Sequence, residues 1–120
     1  MMMKDADEIK KEIENLIDSG NIIIVEGIKD KRALERLGLK NIITLSKKPL
    51  FSIIEDLAEK NRTITILTDF DKKGKELFGK LNSGLQRHGV KIDNAFREFL
   101  QKKTKLSHIE GLVSYLNNIQ

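Results

Sequence analysis

Thr63-Ile64-Thr65-Ile66-Leu67-Thr68-Asp69-Phe70-Asp71-Lys72-Lys73-Gly74 is the stretch on which the reading of this chain turns. A β-branched run suits a pleated, buried strand. It ends in two carboxylates, Asp69 and Asp71, one residue apart. A glycine and a helical pattern follow. Acids at the carboxyl end of a buried parallel strand stand where an α/β sheet gathers ligand chemistry. One other run has the same form: Ile22-Ile23-Ile24-Val25 closes on Glu26 and Gly27. Three carboxylates at two strand ends point to a divalent-cation site.

Outward from these two runs, strands and helices alternate. Ile9, Ile13, Leu16 and Ile17 share one face of a helix expected over 5–19, and Gly20 supplies its stop. Ile22–Val25 is continuously apolar, as a strand buried on both faces must be. A short helix over 30–37 stops at Gly38, and a second strand follows over 41–45. Pro49 suits the first turn of a helix carrying Leu50, Ile53, Ile54 and Leu57. The third strand covers 63–68. A helix over 72–88 turns Leu77, Phe78, Leu81 and Leu85 inward and ends at Gly89. A fourth strand is expected over 90–92, then helices over 94–102 and 107–118. Such alternation predicts a mainly parallel four-stranded α/β sheet with helices on both faces. The common doubly wound order sets the first strand beside the third, with a crevice at their carboxyl ends. Glu26, Asp69 and Asp71 are all expected there.

Composition bounds the function. At 120 residues the chain suffices for a single domain over 1–120. Hydrophobic residues make up 39% and charged residues 33%, the balance of a globular protein and not a disordered one. No apolar run approaches a membrane span. Met1-Met2-Met3 leads into Lys4, Asp5, Asp7 and Glu8 without an apolar segment, so no secretory signal is expected. The chain has no cysteine, which excludes disulfides, thiolate nucleophiles and cysteine zinc sites and is compatible with the cytoplasm. The net charge of +4 is compatible with a nucleic-acid partner.

Mg²⁺ takes one or two carboxylates and completes its shell with water and substrate phosphate, which Asp69 and Asp71 can provide for. Mn²⁺ is a possible substitute. Gly74 lets the backbone turn tightly into the next helix, whose free N–H groups face the same crevice. Glu26 can ligate a second cation or carry a proton. Other readings of Asp-Phe-Asp exist. An EF-hand loop would place Lys73 and Lys80 where acids are needed and a strand where a helix belongs. A haloacid-dehalogenase phosphatase wants Thr where Lys73 stands. A receiver domain wants its acids after the first strand and a Lys on a fifth. Both acids can also serve only as caps of the helix that begins near Lys72.

Val25-Glu26-Gly27-Ile28-Lys29-Asp30, followed by Thr68-Asp69-Phe70-Asp71-Lys72-Lys73-Gly74, resembles the Toprim domain, the shared catalytic module of topoisomerases, bacterial primases, several nucleases and a recombination-mediator family. Its signature pairs Glu-Gly after the first strand with Asp-x-Asp-x-x-Gly after the third. The similarity spans residues 22–92 and is greatest to small stand-alone Toprim proteins of archaea and bacteria related to nucleases that mature ribosomal RNA. It implies that Glu26 is a general acid/base with a possible metal role and that Asp69 and Asp71 hold Mg²⁺. Gly27 would permit the turn, and Asp30 would fix the helix start. Phe70 stands where many relatives have Pro. The implied activity is Mg²⁺-dependent phosphoryl transfer on nucleic acid, with an RNA-processing nuclease foremost. The alternatives are a non-catalytic module that binds nucleic acid or protein, and a primase-related component. A homodimer or a protein partner is compatible with so small a chain. Tyr115, the only tyrosine, sits in an amphipathic pattern, and no primase zinc domain is present.

Glu110, in His108-Ile109-Glu110-Gly111, is a further possible ligand or a solvated charge. Lys47, Lys48, Lys72, Lys73 and Lys75 flank the expected crevice and can contact phosphates. Lys102, Lys103 and Lys105 form a weaker basic cluster. His88, beside Gly89, suits a helix C-terminus.

Overall fold

Ile22–Val25 forms the central strand, β1, and all four residues are buried. In this computed structural model, which describes residues 5–119, the helix α1 (Asp5–Ser19) precedes it. After β1 come α2 (Ile28–Arg36), β2 (Ile42–Thr44), α3 (Leu50–Ala58), β3 (Ile64–Ile66) and α4 (Lys72–Arg87). The chain then forms α5 (Ala95–Lys103), a 3-10 turn (Ile109–Gly111) and α6 (Leu112–Ile119). Residues 1–4, where the absence of a secretory leader was read, lie outside the described residues.

The sheet order is β2-β1-β3, all parallel, with Ile23 opposite Ile42 and Ile22 opposite Ile64. The expected neighbourhood of the first and third strands is therefore present. Successive side chains of a strand leave opposite faces, and β1 feeds two cores. Ile22 and Ile24 pack with Ile53, Ile54, Leu57, Leu81 and Leu85 from α3 and α4. Ile23 and Val25 pack with residues of α1, α2, α5 and α6, including Ile9, Ile13, Leu34, Leu100 and Leu112. Each such side chain contributes about 1.5–3 kcal/mol on burial. The radius of gyration, 14.0 Å, is that of one domain of this length, about 14 Å.

The expected fourth strand is not formed. Residues 90–92 make a single parallel bridge, Ile64 with Ile92, through Ile64 N–H to Lys91 C=O at 3.0 Å and Asp93 N–H to Ile64 C=O at 2.9 Å. The reason is length. Gly89 has φ +77° and ends the preceding helix, and Asp93 Oδ1 already accepts from Ala95 N–H to start α5. Three residues remain between the two signals. Among the described residues the sheet thus has three strands, not four.

Other boundaries shift for local reasons. α2 begins at Ile28, ahead of the expected 30, because Gly27 is its N-cap and Asp30 Oδ2 accepts from Gly27 N–H at 3.1 Å. Pro49 is the N-cap of α3, just outside the helix. The final helix starts with a 3-10 turn because the N–H of Ile109 is bonded to an aspartate of the β3–α4 loop. Among the described residues no helix is long and apolar enough to cross a membrane.

Candidate metal centre

The site is built on the loop between β3 and α4. Hydrogen bonding along β3 continues past Ile66, with Leu67 N–H donating to Ile24 C=O at 2.7 Å. Thr68 is fully buried, and its Oγ1 donates to Gly74 C=O at 2.7 Å, folding the loop onto the first turn of α4. Gly74 is required by contact: a Cβ there would lie 2.0 Å from the carbonyl oxygen of Asp69. The helix start and the acid loop can approach this closely only without a side chain.

Each aspartate is held by one oxygen. Asp71 is the N-cap of α4, and its Oδ1 accepts from Gly74 N–H at 2.8 Å. Asp69 Oδ1 accepts from Ile109 N–H at 2.9 Å. Asp69 N–H donates to Glu26 Oε2 at 2.8 Å, so the end of β1 is tied to the end of β3. The sequence-predicted acids are therefore gathered in one place. Asp71 is exposed, whereas Glu26 and Asp69 are half-buried.

A histidine stands with the two aspartates. Ligand atoms of Asp69, Asp71 and His108 all lie within 4.8 Å of one another. His108 Nε2 is 3.4 Å from Asp71 Oδ2. Glu26 stands one hydrogen bond away and is outside this trio, as is Glu110. Glu110 instead lines an exposed cleft with Lys29, Arg32 and Arg36. The trio fits a divalent cation by its donors: two carboxylates, each fixed through Oδ1 by a backbone N–H, and an imidazole.

Asp30 supports the entrance to α2. It is only 8% exposed. Burial pushes its carboxyl above the usual range, and the charges of Asp69, Glu110 and Glu26 push the same way, against the Gly27 hydrogen bond.

Arg97 is a residue the sequence reading missed. It is 3% exposed, and no carboxylate among the described residues lies within ion-pair distance of it. Its guanidinium donates to the carbonyl oxygens of Thr68 and Asp69. The rings of Phe70 and Phe78 cover it, 4.7 and 4.6 Å away. Burial lowers its pKa to about 10, while Asp69 and Glu26 oppose that shift. It stays a cation at neutral pH and holds the backbone of the acid loop from behind. The signal was legible: Arg97 falls on the inward stripe of α5 with Phe96 and Leu100. Phe70 has the role of a ring over this cation.

Lys47, Lys48, Lys72, Lys73 and Lys75 are all exposed, the last three on the first turn of α4 beside the acids. Lys103 pairs with Glu8 at 3.6 Å, away from the site. The His88 ring nitrogen Nδ1 meets Gly84 C=O at 2.9 Å at the far end of α4. Tyr115 packs against the core.

No family model matches the chain. A solved protein from Aquifex aeolicus superposes with a TM-score of 0.77 at 33% identity, over 88% of this chain and 96% of that one. A UPF0292 protein of Methanocaldococcus jannaschii is 31% identical over 120 residues, covering 97% of this chain and 90% of its own length. A UPF0292 protein of Thermococcus sibiricus is 40% identical over 107 residues, covering 85% and 83%. Relatives this similar over nearly their whole length place the chain in the UPF0292 protein family.

Proposed function

We propose that this protein is a divalent-cation-dependent phosphoryl-transfer enzyme of Toprim type, acting on nucleic-acid phosphodiesters, with cleavage in RNA processing as its reaction and Mg²⁺ as its expected cofactor. One observation carries the reading. Asp69 and Asp71 are each pinned through Oδ1 by a backbone N–H, and a carboxylate oxygen of each lies within 4.8 Å of the other and of His108. Pre-positioned carboxylates of this kind lower the ordering cost of taking up a cation.

A cation held there would supply positive charge to a bound phosphate and to an attacking water. The chain's own groups do the rest. Asp69 and Asp71 orient the centre. Glu26, fixed through Oε2, keeps Oε1 for a proton at the reacting oxygen. Lys72, Lys73 and Lys75 sit on the adjoining helical turn, where they can draw phosphates toward the acids. Arg97 keeps the loop in place without touching substrate.

The second reading is a scaffold in which the acids serve only the fold. Asp71 as an N-cap and Asp69 as the anchor of Ile109 both favour it. Asp69→Asn with Asp71→Asn separates the two. Asparagine caps a helix as well as aspartate does, so the fold should survive while Mg²⁺-dependent cleavage of an RNA substrate disappears. Cleavage at the wild-type rate would remove the catalytic assignment. Nucleic-acid binding that chelation leaves unchanged, without turnover, would establish the scaffold.

A further inference from the structure

His108 is the donor at this centre that an all-oxygen Mg²⁺ site does not use. Its placement is fixed on both sides. Ser107 C=O accepts from Phe70 N–H at 2.9 Å, and Ile109 N–H donates to Asp69 Oδ1 at 2.9 Å. The residues before and after His108 are thus bonded to the acid loop itself. His108 is extended, at φ −130° and ψ 137°, and its Nε2 lies 3.4 Å from Asp71 Oδ2.

That separation has a meaning for coordination. Two adjacent ligands of an octahedral cation, each about 2.1 Å from it, stand about 3 Å apart, and two opposite ligands about 4.2 Å apart. The 3.4 Å between Nε2 and Oδ2 is close to the adjacent case, and a spread within 4.8 Å holds the trio near one coordination sphere. Mg²⁺ prefers oxygen throughout. An imidazole nitrogen favours first-row transition cations, whose affinity for mixed nitrogen and oxygen sites rises from Mn²⁺ toward Cu²⁺.

We propose that His108 Nε2 is a third protein ligand of the Asp69–Asp71 centre and biases it toward a transition divalent cation such as Mn²⁺ over Mg²⁺. The proposal rests on the cation-site reading above and adds to it a ligand and a selectivity. It also explains why the C-terminal segment is bonded to the β3–α4 loop: the fold brings a nitrogen donor from the residue before Ile109 to complete the site.

Pulsed electron paramagnetic resonance on the full chain loaded with Mn²⁺ tests the ligand, and calorimetry with Mn²⁺ and Mg²⁺ tests the selectivity. The chain has two histidines, and His88 is engaged at the far end of α4, so a nitrogen coupling at bound Mn²⁺ reports His108. The wild type should show that coupling and His108→Gln should not. The variant should bind Mn²⁺ at least about tenfold more weakly, the lower end of the loss seen when even a partner that only orients a ligand is removed. Its Mg²⁺ affinity should change far less. Mn²⁺ bound without nitrogen coupling, or equal losses for both cations, would overturn the proposal while leaving the cation site standing. Asp69→Asn with Asp71→Asn checks that site separately by losing both cations. A wild type that binds neither would overturn both readings.

Discussion

Asp71 does two things with one carboxylate. Oδ1 caps α4 and Oδ2 faces His108. The two roles come apart by substitution. Asp71→Ala should lower stability by about 1 kcal/mol through the lost cap, whereas Asp71→Asn should unfold at nearly the wild-type urea midpoint. Both should lose cation affinity in calorimetry. Asp30 offers a second test at this scale. Its raised pKa means that the folded state holds the proton more tightly than the unfolded chain does. Its contribution is therefore fully present in acid and is lost as pH rises from the ordinary 3.8 through the higher folded value. Asp30→Asn keeps an acceptor for Gly27 N–H without the charge. Its stability relative to wild type should climb across that window and level off above it. Urea titrations at a series of pH values would show this, and a flat difference would contradict the burial account.

The β3–α4 connection is where the elements decide the chemistry. Gly74 meets the Asp69 carbonyl so closely that Gly74→Ala must push the helix and the acid loop apart. A loss of at least about 2 kcal/mol is expected from such overpacking, together with weaker cation binding. Both are measurable on one purified variant. Arg97→Lys keeps the charge but loses the planar fork that reaches two carbonyls between two rings. It should cost about 2 kcal/mol and weaken cation binding by loosening Asp69. Much of this connection was legible in the chain: the strand ending in Asp69, the turn at Gly74 and the helix behind it all follow from local pattern. The anchors were not, because they come from far along the sequence. Arg97 and Ile109 reach the loop from 28 and 40 residues away, and no periodicity announces a hydrogen bond at such a distance. Arg97 did leave a trace, as a cation on an apolar stripe.

At the scale of the whole molecule, the parallel sheet and the pairing of β1 with β3 were readable because a continuous apolar run has one economical place, in the middle. The fourth strand was over-read, since three β-prone residues between two stop signals make only a bridge. The expected acids Asp69 and Asp71 lie beside His108, with Glu26 tied in through the backbone of Asp69. The closeness of His108 to the aspartates is not legible in the sequence because its neighbours in space belong to another element. The account as a whole stands on Asp69 and Asp71 holding a cation that cleaves phosphodiesters. The most direct measurement is cleavage of a labelled structured RNA by the wild type and by the Asp69→Asn, Asp71→Asn protein, with Mg²⁺ or Mn²⁺ added and then chelated. Cleavage that needs both the metal and the two carboxylates, in a variant whose circular dichroism and unfolding match the wild type, is the predicted result. Cleavage that persists in the variant, or no cleavage by the wild type with either cation, would contradict it.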